Sequence, residues 1–341
     1  MSRARQLDLQ ASAATQAPAV QLTLHDRSGS RRIAWNDVGG LEWSNFGLVL
    51  GAGGATGLSF EAGCLLALTT DHRIRLADAD VLVGTSAGSI AATLIALGFD
   101  GPDLAAVVAE VDHHLDPALA SLGVRLEGEL PAIPGVAQLL RRLTIGSTAT
   151  GMGLVIRRRF TAALANALRT GEFDLAGKLP FLDGIPWPAP EGRLRVCAVA
   201  STTGRRRVFV ASAGVALVDA VAASCAVPGV MRPVVIDGAP FVDGGLVSPT
   251  NADVLADFGG ALIAVVSPMS GRHSTSTIGR MGSAHARRRL GTELRQLGRR
   301  HQILVIEPAN RLSEMVVDSA LSTAHKNKIL TAAFLGSSQP A

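Results

Sequence analysis

The sequence predicts an α/β fold, a mostly parallel central sheet sandwiched by helices, and three observations carry that expectation. Short apolar runs ending at glycines or turns recur, beginning with Phe46-Gly47-Leu48-Val49-Leu50 and Asp80-Val81-Leu82-Val83, as in buried parallel strands. Helical runs, Phe60 to Thr70 and Ile90 to Leu97, alternate with them. The links between these strands and helices are rich in glycine, Gly51 to Gly57 and Gly84 to Gly88. Strand, glycine loop, helix, strand, glycine turn, helix is the order of parallel α/β architecture.

Taken in order, residues 1 to about 18 are rich in Ala, Gln and Ser and are expected to form a flexible tail. Alternation from Val20 to Leu24 suggests a strand, and Trp35 and Trp43 flank a Gly39-Gly40 turn. Residues 1–45 are therefore set apart as an N-terminal extension to a domain over 46–335, whose motifs fall within 46–254. Residues 100–190 contain eight prolines that break several amphipathic pieces, and are expected to form an irregular cap over the site. Within the cap, Gly135 to Leu143 mixes apolar and Arg positions as an interfacial helix would, although an ordinary cap helix fits equally. Further strands are expected at Leu194 to Ala200, Arg207 to Ala211, Pro233 to Ile236, Ala261 to Val266 and Gln302 to Ile306. The low-charge stretch from Val208 to Met231 is interrupted by Gly214, Asp219 and Pro228, so it suits a strand followed by a helix better than a membrane span.

With 341 residues, 48% of them hydrophobic and 18% charged, the chain has ample material for a large core, and disorder, collagen and coiled coil are excluded as its main class. Arg3 and Arg5 are followed by Gln6, Asp8, Gln10 and Gln16 where a secretion signal needs an apolar run. The three cysteines, Cys64, Cys197 and Cys225, form neither a disulfide framework nor a zinc pattern, so a reducing, cytoplasmic setting is expected. Arginine supplies 29 of the 32 basic residues, in clusters at 157–159, 205–207, 287–289 and 299–300. Solvated surface is the plain account of these clusters; contact with phosphate or anionic lipid is the alternative.

Three short motifs carry candidate chemistry. Gly84-Thr85-Ser86-Ala87-Gly88 is a G-x-S-x-G sequence between a predicted strand and a predicted helix, where a serine hydroxyl is held exposed on a sharp turn. Gly51-Ala52-Gly53-Gly54-Ala55-Thr56-Gly57 offers backbone amides to a phosphate or to a developing oxyanion. As a dinucleotide fingerprint it fits imperfectly through Gly51, Gly53 and Thr56, with Asp71 or Asp78 as the ribose-binding acid. As an oxyanion loop it places Gly53 and Gly54 near Ser86. Asp243-Gly244-Gly245 ends a short apolar run and supplies a candidate base for that serine. A Ser86–Asp243–His triad using His273 or His285 remains an alternative. The other histidines show no metal-ligand spacing.

Together, in this order, the three blocks resemble those of the patatin-like phospholipases, and Ala223-Ser224-Cys225-Ala226-Val227-Pro228-Gly229 is similar to a further stretch of that family. The resemblance runs from about Phe46 to Val254. It implies lipid acyl hydrolysis through a Ser–Asp dyad, with Ser86 as nucleophile and Asp243 as proton acceptor. Gly53 and Gly54 would form the oxyanion hole, and Gly51, Gly57, Gly84, Gly88, Gly244 and Gly245 would shape the loops. No metal or cofactor is implied. The partners expected are a fatty-acyl ester and peripheral contact with a membrane surface, not nucleic acid; the oligomeric state is not legible. The sequence departs from the family pattern at Ala52, usually Gly, and at Thr56, usually Arg or Lys. That departure motivates a second reading, a catalytically weakened lipid-binding member.

Overall fold

The computed structural model describes residues 19–111, 124, 177 and 179–338. The expected tail before residue 19, most of the expected cap and the Gly135 to Leu143 segment lie outside them. Ten strands form one sheet among the described residues: β1 (Val20–Asp26), β2 (Gly29–Arg32), β3 (Phe46–Leu50), β4 (Val81–Thr85), β5 (Leu194–Ala200), β6 (Arg205–Phe209), β7 (Val234–Ile236), β8 (Ala239–Asp243), β9 (Leu262–Val266) and β10 (Gln302–Pro308). Their order is β2-β1-β10-β9-β3-β4-β5-β8-β7, with β6 also paired to β5. The five central strands, β10-β9-β3-β4-β5, run parallel, and antiparallel strands close both ends.

Every residue of β3, β4 and β9 is buried, because both faces of the parallel core are covered. Alternation divides the strands between two apolar layers. Leu48, Leu50, Leu82, Val266 and Ile306 face one layer with α1 (Gly54–His72), α2 (Ala87–Ala96) and α4 (Leu217–Cys225), which α3 (Gly101–Ala109), α6 (Asn310–Asp318) and α7 (Lys326–Ser338) extend. Val49, Val83, Ile263, Val265 and Val305 face the other, which is covered by Leu290 and Leu297 of α5 (Thr277–Leu297) together with Ala252 and Leu255.

Several expectations shift. Residues 20–32, set apart as extension, belong to the sheet: β1 pairs along β10 from Val20 opposite Pro308 to His25 opposite Ile303. The strand expected at Arg207 to Ala211 lies at Arg205–Phe209, where Arg205 pairs with Ala200; Ala211–Ala213 turns as a short 3-10 helix toward Gly214 at φ +67°. Residues 101–109, placed in the cap by their proline, form α3 instead. There Pro102 occupies the first turn, where its missing N–H costs nothing, and Asp100 and Asp103 cap one another reciprocally at 3.0 and 3.2 Å. Phe181 and Leu182, also assigned to the cap, are buried in the main core.

No described helix is long and apolar enough to cross a membrane.

Candidate active site

Ser86 stands between the end of β4 and the start of α2 with φ 54° and ψ −126°, a backbone conformation that L residues avoid. The surroundings hold it there. Its amide donates to the Ser224 hydroxyl at 2.9 Å, and that hydroxyl donates to the Cys197 carbonyl at 2.7 Å. The Ser86 carbonyl accepts from the Ser89 amide at 2.7 Å and the Ser89 hydroxyl at 2.6 Å. A Cβ on Gly84 would run into Ser89, and one on Gly88 into the Leu50 carbonyl, so both glycines permit close packing of the turn.

Asp243 reaches the same place from another direction. β6 occupies one edge of β5, so β4 and β8 share the other edge. β4 ends with Thr85 opposite Cys197, and β8 ends with Asp243 opposite Ala198. The Asp243 amide donates to the Ala226 carbonyl at 2.9 Å, and its Oδ1 accepts from the Gly245 amide at 2.7 Å. The residue is 6% exposed. Its pKa is pushed up to about 6, mainly because burial disfavours the charge, against the opposing pull of the Ser86 side chain and the Gly245 amide.

The glycine loop lies alongside. Gly51 donates to the Val266 carbonyl at 3.1 Å and Ala52 to the Pro249 carbonyl at 2.7 Å, while the Gly51 carbonyl accepts from Gly88 at 3.2 Å, joining loop to elbow. Gly54 has φ +60°, and a Cβ there would strike the Ala320 carbonyl. Gly53 and Gly54 open α1, where amides lack intrahelical acceptors. Thr56, which stands where the family usually has Arg or Lys, is fully buried and donates to the Val316 carbonyl at 2.8 Å, tying the loop to α6.

The alternatives separate on this geometry. His273 is bound through its backbone to Ser313 and lines a cavity of about 540 Å³ whose walls include neither Ser86 nor Asp243. His285 is exposed but reaches the Gly245 backbone; desolvation, then Arg289 and Arg288, hold its pKa down. No histidine among the described residues is one of the groups that set the Asp243 pKa. A dinucleotide site needs an acid just beyond the second strand. Here that position is Ser86, while Asp71 accepts from the Trp35 indole at 2.9 Å and Asp78 pairs with Arg75 at 3.7 Å. The three thiols are free and fully buried, and burial pushes all of them up, Cys197 to about 12. None is an available nucleophile.

The family model of the patatin-like phospholipases matches residues 48–256, more than half the chain. The chain belongs to the patatin-like phospholipase family. That family is one of lipid acyl hydrolases in the general sense. The chain is also similar to a solved structure, VipD from Legionella pneumophila, at 15% identity and a TM-score of 0.34, covering 69% of this chain and 50% of that one. It thus spans about half the length of VipD. No curated protein matches it significantly.

Within this patatin-like domain, three contributors escaped the reading of motifs. Ser224 holds the Ser86 amide. Asn251 donates to the Thr85 hydroxyl at 3.0 Å and to the Ser248 carbonyl at 2.5 Å, and accepts from Arg206 at 2.9 Å, which is itself bound to Asp253. Glu61 of α1 is fully buried beneath the glycine loop; burial raises its pKa well above the carboxylate range, against the opposing pull of the Gly51 backbone. Only Ser224 lay within a recognisable stretch, Ala223 to Gly229.

Proposed function

We propose that the protein is a serine lipid acyl hydrolase that cleaves fatty-acyl esters of lipids, phospholipids among them, through Ser86 and Asp243. The observation that carries this reading is the end-to-end meeting of β4 and β8 on one edge of β5, beside a glycine loop at a helix start.

In the first step Asp243 accepts the hydroxyl proton as Ser86 Oγ bonds to the ester carbonyl carbon, and the carbonyl π pair moves onto oxygen. The Gly53 and Gly54 amides stabilise that oxyanion; one such donor is worth on the order of 10²-fold or more in rate. Collapse breaks the bond to the leaving alcohol, which takes the proton from Asp243 and leaves an acyl-Ser86. Water then gives a proton to Asp243 and attacks the acyl carbon. A second collapse releases the fatty acid and returns the proton to Ser86. A carboxyl whose pKa lies near 6 serves both directions better than an ordinary aspartate, because it accepts and returns a proton near neutrality.

The test is intact-mass analysis after treatment with a fluorophosphonate, with and without lipid micelles, for wild type and Ser86→Ala. One adduct, lost in the variant, is the expected result, followed by turnover of lipid esters. Folded wild type that takes no adduct under either condition overturns the reading in favour of lipid binding without catalysis.

A further inference from the structure

From Pro268 to Thr292 the chain carries five arginines and no aspartate or glutamate. The fold divides the five, and Arg289 is half-buried beside His285. Arg287 turns inward, donating to the Gly271 carbonyl at 2.9 Å and the Ser283 hydroxyl at 3.0 Å. Arg272 faces the half-buried Glu307. Arg280 and Arg288 are exposed, and neither belongs to a salt bridge among the described residues. Asp318, the acid beside the start of α5, already accepts from Ser274, Thr275 and Ser276.

Between these two cations, of which Arg280 donates to the Thr275 carbonyl and the Thr277 hydroxyl at 3.4 Å each, stands Met281, 68% exposed and one of two large apolar side chains so exposed among the described residues. Arg280, Met281, Ala284 and Arg288 recur at helical spacing, so they share one outward face over the first turns of α5.

Other faces of the same turns adjoin the candidate site on two sides. A Cβ on Gly282 would lie 3.5 Å from the Met269 methyl, and the preceding Pro268 packs on Gly53 and Gly57. On the other side His285 reaches the Gly245 backbone, two residues beyond Asp243. The first turns of α5 therefore form part of the rim between the glycine loop and the Asp243 turn.

We propose that this rim docks on the surface of an anionic phospholipid bilayer, with Arg280 and Arg288 against headgroup phosphates and Met281 entering the apolar boundary. The occupant follows from complementarity: cations without acids select an anionic surface, and an exposed thioether between them suits a surface with an apolar interior. The proposal rests on the lipid acyl hydrolase reading for its purpose, since docking here brings the Ser86 site to a substrate held in the bilayer.

The experiment is sedimentation of the full chain, as Ser86→Ala so that binding is read apart from turnover, with extruded vesicles. One set is phosphatidylcholine alone; the other is equal parts phosphatidylcholine and phosphatidylglycerol. Binding to the second set and not the first is expected, weakened at least about tenfold by the double variant Arg280→Gln/Arg288→Gln. Met281→Ser is expected to weaken it on the order of tenfold as well. All three side chains are exposed, so an unchanged thermal midpoint checks folding. Absence of binding, equal binding to both vesicle sets, or variants that bind like their parent would each overturn the proposal. Failure of the hydrolase reading registers separately, as absence of a fluorophosphonate adduct on Ser86-bearing protein.

Discussion

Thr85 and Asp243 end their strands opposite consecutive residues of β5, Cys197 and Ala198, so β4 and β8 meet tip to tip along one strand edge. The parallel strand delivers the serine turn from one direction and the antiparallel strand delivers the carboxylate from the other. One neighbouring strand therefore sets the separation between Ser86 and Asp243. The loops beyond them add hydrogen bonds that lock the approach: Ser224 to the Ser86 amide, Gly245 to the Asp243 carboxyl.

Asp243→Asn is expected to reduce turnover of a lipid ester by at least about 10³-fold, because the amide accepts no proton from Ser86. Its Oδ1 still accepts from Gly245, so circular dichroism should match wild type. Activity within about tenfold of wild type in that variant would remove Asp243 from the mechanism and return attention to His285, which reaches the Gly245 backbone.

The same carboxyl predicts how both rate and stability depend on pH. Its pKa is about 6 in the fold against 3.8 unperturbed, so the folded chain holds more of the proton between those values and loses stability as pH rises through them. Above that window the buried charge costs about 1–3 kcal/mol, and Asp243→Asn should be more stable than wild type by that order at pH 8 and no more stable below pH 4. kcat/KM should rise with pH through one ionisation near 6 and then level off. A pH-rate profile without that acid limb, measured alongside denaturant melts at the two pH values, would contradict the assignment.

Ser224→Ala leaves the Ser86 amide and the Cys197 carbonyl without their shared partner in a fully buried site. The expected cost is about 1–3 kcal/mol in stability. Because the strained Ser86 backbone loses its tether, fluorophosphonate labelling should slow by about 10-fold or more. Asn251→Ala is expected to act in the same direction through Thr85, with kcat falling more than KM changes. Equal labelling rates in folded variants would reduce both residues to packing.

How far these relationships were legible in sequence depended on how local they are. Phe46–Leu50, Val81–Thr85 and Leu262–Val266 announce themselves because strands buried on both faces need unbroken apolar runs. The elbow is legible because its glycines flank the serine directly. By contrast, the Ser86–Ser224 and Thr85–Asn251 bonds span 138 and 166 residues, and nothing in either serine or asparagine reveals a partner at that distance. The Arg205–Arg206–Arg207 cluster reads as one charged patch, but strand alternation splits it. Arg206 pairs inward with Asp253 while Arg207 stacks over Phe209 and Phe241.

Thr56 offers the sharpest test of what the departure from the family pattern means. The residue is fully buried, its hydroxyl donating to the Val316 carbonyl at 2.8 Å and its amide to the Ala320 carbonyl at 3.4 Å, so α6 and the turn after it take over the task of steadying the glycine loop. Restoring the family's cation as Thr56→Arg would force a guanidinium into a fully buried position now filled by a small side chain, and is expected to cost more than about 3 kcal/mol. Thr56→Val keeps the shape and loses only the bond, leaving the Val316 carbonyl unpaired at a cost of about 1–3 kcal/mol. If the bond also fixes the Gly53 and Gly54 amides, labelling of Ser86 in Thr56→Val should slow several-fold at temperatures where the variant is fully folded. A Thr56→Arg variant as stable as wild type and more active would mean instead that the loop is built to hold a cation, and that threonine there weakens this enzyme.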